Sequence, residues 1–267
     1  MAADRLRVMA VLIPVVLVAS LIAGWAVTVP LHRFREDDDG EGYAVACPAA
    51  CDECGTEVEP SDVVPFRSWL GDGRACSNCG TPRGWSWIAP QVLLPVLALI
   101  TTVAMGPIKS LPAYLVLVVV LVMAAIIDLR TMLIPRQLIW AGLAAGLAIM
   151  VAISLWIGDW GHLLGALVGA VGYFGFLFLT WLISPRGMGF GDVRLGAVMG
   201  LYLGWISWPL ILIALILGSL VNVVQGLAIN GISGRKVPIP FGPALAMGAL
   251  VTIWAHEPIL NLLMGNA

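Results

Sequence analysis

Residues 111–135 read LPAYLVLVVVLVMAAIIDLRTMLIP. From Leu111 to Ile127 there is no charge; then come Asp128, Arg130 and the pair Ile134-Pro135. A helix needs about 20 mostly apolar residues to cross a bilayer, so this stretch predicts a transmembrane helix over 111–128. The carboxylate that closes the run is expensive at such a boundary, and an ionisable residue there is a functional hypothesis by default.

The rest of the chain repeats the pattern. Of 267 residues, 60% are hydrophobic and 11% charged; a soluble domain carries about 25% charged residues, so soluble classes are excluded. The expected fold is an all-α polytopic membrane protein of about eight transmembrane helices, near 7–30, 88–105, 111–128, 136–157, 162–183, 191–206, 209–229 and 241–263. Residues 31–87 differ: they are polar and hold all five cysteines and 11 of the 16 acids. The division is therefore a first helix (1–30), a tetracysteine loop (31–87) and a multi-span portion (88–267). No internal repeat stands out.

Charge sets the expected orientation, because Lys and Arg concentrate on the cytoplasmic side. With the 31–87 loop inside and eight alternating helices, 11 of the 14 basic residues fall inside and 3 (Arg5, Arg7 and Lys109) outside. A cleaved signal over residues 8–25 would invert that ratio. In this frame the third helix runs inward and ends at Asp128, and the sixth starts at Asp192 and runs outward. Both carboxylates reach the inner boundary at similar depth. Negative charge suits a helix N-terminus such as that of Asp192, whereas the dipole opposes it at the C-terminal end where Asp128 sits.

The surroundings add to this. Asp192 follows Gly189-Phe190-Gly191, and glycine lets backbones approach closely, though the same residues suit an ordinary turn. After Asp128, Ile134-Pro135 stops one helix, and Pro fits the first turn of the next. A third inner segment, Lys236-Val237-Pro238-Ile239-Pro240-Phe241-Gly242-Pro243, holds three prolines in six residues. It cannot be regular helix. Such backbone is tolerated at membrane depth only where protein buries it or water reaches it, and it could pair with an extended peptide or serve as a rigid turn.

In the loop, Cys51-x-x-Cys54 and Cys76-x-x-Cys79 are separated by 21 residues, a zinc-ribbon-like spacing. Four thiolates can hold one Zn²⁺ and organise a loop too small for its own core. Cys47 is a spare thiol or an alternative ligand. The run Glu36-Asp37-Asp38-Asp39 reads as solvated linker or as an attractor for a basic peptide. Asn222 and Gln225, one turn apart in the seventh helix, read as a bridge between helices. Gly142, Gly146, Gly165, Gly169 and Gly172 read as close-packing positions, and His162 and His256 fall on the outer side, away from the aspartates.

Taken in order, Asp128 with Ile134-Pro135, Gly189-Phe190-Gly191-Asp192, Pro240-Phe241-Gly242-Pro243 and the paired Cys-x-x-Cys loop resemble the bacterial prepilin peptidases, or type IV leader peptidases, polytopic aspartic proteases of the inner membrane. The resemblance implies that Asp128 and Asp192 are a catalytic pair at the cytoplasmic face. Gly189, Gly191, Pro240, Phe241, Gly242 and Pro243 are the expected substrate-contacting positions. Implied partners are prepilins or pseudopilins, cut after a Gly behind a basic leader, and membrane lipid; no nucleic acid is expected. Close carboxylates share a proton near neutral pH and can activate water. Zn at Cys51, Cys54, Cys76 and Cys79 is expected to be structural. Many members also methylate the new N-terminus with S-adenosylmethionine. Here the segment after helix one is unusually acidic for that family, and the stretch after Cys79 lacks an acidic residue, so the resemblance speaks for proteolysis more than for methylation. The alternative is a transporter using the pair as a proton or cation relay, although transporters place acids near the bilayer midplane; a non-catalytic scaffold is a further rival.

Overall fold

A computed structural model describes residues 2–36, 43–44, 48–51, 53–65, 69, 74–185, 187–231 and 238–264. Cys47, Asp37–Asp39, Lys236 and Val237 lie outside the described residues. The chain divides into two compact units, Met1–Ile100 and Thr101–Ala267.

The first unit contains α1 (Ala2–Leu31), a two-residue antiparallel pair β1 (Arg35–Glu36) and β2 (Tyr43–Ala44), and most of α2 (Ala89–Met105). The cysteine loop is not without a core. Val29, at the end of α1, packs with Ala49, Val58, Val63 and Trp87, and Trp25 covers the cluster. Gln91 is wholly buried, and its side-chain nitrogen donates to the Val63 carbonyl at 2.9 Å while its oxygen accepts from Trp69 Nε1 at 2.9 Å. His32 adds a second tie: its ring stacks on Trp87 with centroids 3.5 Å apart and its Nε2 lies 3.0 Å from Ser86 Oγ. Sequence reading passed over His32, because a lone His after an apolar run carries no pattern of its own.

Among its described residues the regular elements of the second unit are helices: α3 (Leu111–Thr131), α4 (Arg136–Ile157), α5 (Gly161–Ile183), α6 (Phe190–Ile206), α7 (Pro209–Asn230), α8 (Gly242–Trp254) and α9 (His256–Met264). Among the described residues five helices, α1, α3, α4, α5 and α7, are long and apolar enough to cross a membrane. The segment expected as one last span is instead α8 and α9, bent by 73° at Ala255. The cause is Pro258: it has no N–H for the Trp254 carbonyl, and its ring would clash there. With 17 residues each, α2 and α6 are about 25 Å long, below the usual spanning length.

Two further boundaries differ from expectation. Helix α3 runs three residues past Asp128, to Thr131, because Met132 turns left-handed (φ 56°) and returns its N–H to the Asp128 carbonyl at 2.8 Å. Pro135 is the extended residue before α4, not part of its first turn.

Glycines let α5 and α6 approach backbone to backbone. A Cβ on Gly200 would meet the Gly169 carbonyl, and one on Gly204 the Gly165 carbonyl. In lipid there is no hydrophobic force between helices, so such close packing drives their association. Gly142 and Gly146 are filled by Val120 and Tyr202. Gly172 meets nothing within 4 Å, so it is not a packing position. Tyr202 donates to the Gly142 carbonyl at 3.1 Å and Tyr114 to the Tyr202 carbonyl at 3.0 Å, joining α3, α4 and α6.

Candidate active site and metal centre

Three chain segments of the second unit meet around Ile134. The side chain is buried, and it lies against two glycines at the heads of two different helices. On one side a Cβ on Gly191, in the first turn of α6, would lie 3.0 Å from the Ile134 Cβ. On the other, a Cβ on Gly242, the first residue of α8, would lie 3.2 Å from the Ile134 Cδ1. A Cβ at Gly191 would press on Ile134, and one at Gly242 would press first on Asp128 Oδ2, at 2.7 Å.

This packing positions both carboxyl groups. Asp128, 4% exposed, sits in the last turn of α3. Its Oδ2 accepts the Gly242 N–H at 2.8 Å. That bond satisfies one of the free N–H groups at the start of α8 and puts a helix N-terminus against a carboxylate that its own helix disfavours. Asp192, 6% exposed, lies in the first turn of α6, with its backbone N–H donated to the Gly189 carbonyl at 3.1 Å. The two side chains are close enough to interact electrostatically. Asp192 Oδ1 is buried and has no hydrogen-bond partner, an unfilled acceptor of the kind that marks catalytic groups or sites for water.

The remaining expected site residues are placed as follows. Gly189 is exposed and precedes α6 in extended conformation. Phe190 is held by edge contacts with Trp181 (5.1 Å) and Phe178 (6.4 Å), and the Arg194 guanidinium lies 4.6 Å from its ring. Pro240 and Phe241 are half-buried; Gly242 and Pro243 are buried. The Gly242 N–H is already engaged by Asp128, so it is not free for a peptide. His162 and His256 bond to the carbonyls of Trp205 and Ile253, which are packing roles.

In the first unit the four cysteines converge. Their Sγ atoms lie within 4.8 Å of one another, with Cys51–Cys79 at 3.8 Å and Cys54–Cys76 at 3.6 Å. Four sulfurs about 2.3 Å from one tetrahedral Zn²⁺ would be about 3.8 Å apart, so the set fits the metal. Two matching turns build it. Cys51 N–H donates to Thr56 O and Gly55 N–H to Cys51 O; Cys76 N–H donates to Thr81 O and Gly80 N–H to Cys76 O. Gly55 and Gly80 take φ of 70° and 72°, which an L side chain resists. The sequence carries this as Cys-x-x-Cys-Gly-Thr written twice, a short repeat visible once the turns are aligned. The Thr56 hydroxyl, with the Thr56 N–H, pulls the Cys54 thiol down to about 6, and the N–H groups of Cys79 and Asn78 lower Cys76. Both favour the thiolate that a metal requires.

The architecture defines a multi-pass membrane protein with a buried carboxylate pair and a four-cysteine module. Two family descriptions cover most of it: the bacterial peptidase A24 N-terminal domain matches residues 8–105, and the type IV leader peptidase family matches residues 115–227. Relatives named prepilin leader peptidase/N-methyltransferase include proteins of Aeromonas hydrophila (30% identical, 84% of this chain and 79% of the relative) and Pseudomonas aeruginosa (32%, 78% and 72%). One of Bacillus subtilis is 26% identical over 81% of this chain and 85% of its own. No solved structure gives a significant match. The chain belongs to the type IV leader peptidase family. It is a multi-pass protein of the bacterial inner membrane, and nothing in these likenesses favours the transport relay.

Proposed function

We propose that the chain is an aspartic endopeptidase that removes the basic leader of prepilins or pseudopilins, cutting after a Gly at the cytoplasmic membrane face. One observation carries the reading: Asp128 and Asp192, from helices far apart in sequence, are buried as electrostatic neighbours around Ile134. In this reading the pair shares one proton, and its titration belongs to the pair. The ionised carboxylate takes a proton from water as the water oxygen bonds to the scissile carbonyl carbon. The protonated carboxyl gives its proton to the carbonyl oxygen. Collapse of the tetrahedral species breaks the C–N bond: one carboxyl gives its proton to the departing amine while the other takes a proton from a hydroxyl of the diol, so the pair again holds one proton. Buried walls exclude bulk water, which strengthens these interactions.

The test is a cleavage assay in detergent on a prepilin with a basic leader and a Gly before its apolar helix. Cleavage after that Gly is expected; folded wild type that leaves several such prepilins intact overturns the reading. The three-part division into residues 1–30, 31–87 and 88–267 is a proposal about roles: anchor, zinc loop and peptidase.

Zinc in the loop would be structural. Cys51, Cys54, Cys76 and Cys79 would hold it, and its chemistry would be to cross-link two turns. Wild type is expected to carry one zinc per chain by elemental analysis. Cys76→Ser should lose the metal and expose the 31–87 loop to limited proteolysis, with the second unit still folded. Retention of full zinc by that variant would refute the assignment. Among the described residues of the first unit, an apolar groove of about 320 Å³ lined by Leu21, Ile22, Trp25, Val64 and Pro65 has no carboxylate or amide for the polar groups of S-adenosylmethionine.

A further inference from the structure

Asn222 and Gln225 are polar residues in an otherwise apolar helix, and the helix bridge expected of them is absent: Asn222 Oδ1 and Gln225 Oε1 are both buried without any hydrogen-bond partner. Each such acceptor costs several kcal/mol in hydrocarbon, so a fold that leaves two of them side by side calls for a donor from elsewhere.

Their position indicates which donor. On α7, Gly218 lies against Leu245 and Ala244, and Gly226 against Ile239. Asn222 is four residues from each glycine, so it lies on the same face of the helix, midway between them. It therefore faces the stretch between Ile239 and Leu245, whose centre is Gly242, the residue that donates to Asp128. Gln225 is one turn further on and on the same side. Leu220, Val223, Val224 and Leu227 are exposed on the other side of α7, away from the face that carries Gly218, Asn222 and Gly226.

We infer that Asn222 and Gln225 are positioning residues for the substrate. Their side-chain oxygens accept hydrogen bonds from the free backbone N–H groups at the start of the substrate's apolar helix. The chemistry is complementary. A helix begins with four N–H groups that have no partner of their own, and within a membrane those donors are as costly as the two acceptors on α7. Pairing them fixes where the substrate helix starts. The peptide bond just before it then falls beside the Pro240–Pro243 turn and the carboxylate pair. The terminal amide torsion is broad, so each oxygen can turn from its resting place toward an arriving N–H. The inference rests on the peptidase reading for the identity of the peptide but not for the contact itself.

Binding and turnover separate the two. Asn222→Leu and Gln225→Met are made in wild type and in Asp192→Asn. The Kd of a prepilin peptide is measured on the Asp192→Asn proteins, and KM and kcat on the others. Each substitution is expected to weaken binding and raise KM by about 3–10-fold, the scale of one hydrogen bond, with kcat unchanged. Thermal midpoints should hold or rise, since an unpaired polar group is being removed. A peptide N-methylated within the first four residues of its apolar helix should bind weakly to the parent and lose nothing more in the variant. Unchanged Kd and KM in both variants would overturn the inference. So would a change of oligomeric state in their place, which would make the two amides a contact between copies. Amide-dependent binding without any cleavage by wild type would leave this contact standing and remove the peptidase reading.

Discussion

Asp192→Asn, and separately Asp128→Asn, should each lower cleavage of a prepilin by at least about 10³-fold, within the range that general acid–base catalysis supplies, while the protein remains folded. Asn has the shape of Asp and keeps an acceptor oxygen, so the Gly242 N–H that reaches Asp128 at 2.8 Å keeps its partner. Packing around Ile134 is also untouched, because neither substitution changes volume. What is lost is the capacity to hold or release a proton. Residues that act as a unit are strongly non-additive, so the double variant should be hardly slower than either single one. Normal cutting by both single variants would show that the pair is not the proton-transfer group and would remove the peptidase mechanism. The comparison is therefore made on variants whose thermal midpoints match the wild type, since Asp128 accepts the Gly242 N–H and the Asp192 carboxyl lies against the Gly189 backbone.

Gly200→Leu should give the largest fall in stability of any single change in the second unit, on the order of 3 kcal/mol or more, beyond ordinary overpacking of a core. Overpacked side chains can usually rotate away. At Gly200 the obstacle is the backbone carbonyl of Gly169, which cannot move without shifting α5 as a whole. Leu at the equally helical Gly172, where a Cβ meets nothing within 4 Å, is the control and should be tolerated. The expected result is a lower thermal midpoint and poor recovery in detergent for Gly200→Leu only. Activity should fall further than stability, because α6 carries Asp192 in its first turn and displacements of about 1 Å at a reacting group can cost 10²-fold. Equal midpoints for the two variants would mean that the α5–α6 approach is not a determinant of the fold.

Much of this was legible along the chain. Runs such as 111–127 announce membrane helices because the burial of apolar side chains in lipid is a local property, independent of neighbouring helices. The two Cys-x-x-Cys pairs announce a metal set because each half of the ligand geometry is built within six residues. The flanking motifs singled out Asp128 and Asp192 because charge is rare in such surroundings. Other readings failed for identifiable reasons. The last span looked continuous because hydropathy is blind to the effect of Pro258 on the carbonyl four residues before it. Gly172 looked like a packing glycine because periodicity cannot say which face of α5 has a neighbour. Asn222 and Gln225 looked like a bridge because composition does not reveal that a partner is missing.

The sequence by itself therefore determined that this is a membrane protein with two costly carboxylates and a four-thiol module, since each follows from residues near one another in the chain. Only the tertiary structure decided that Gly242 gives its N–H to Asp128, that Ile134 joins the heads of α6 and α8, and that the carboxyl groups 64 residues apart in sequence (192 − 128) are neighbours. The physical reason is that apolar helices have no preference for one another over lipid. Their arrangement is set by shape, where glycine lets backbones touch, and by the few polar groups that must find partners across the bundle.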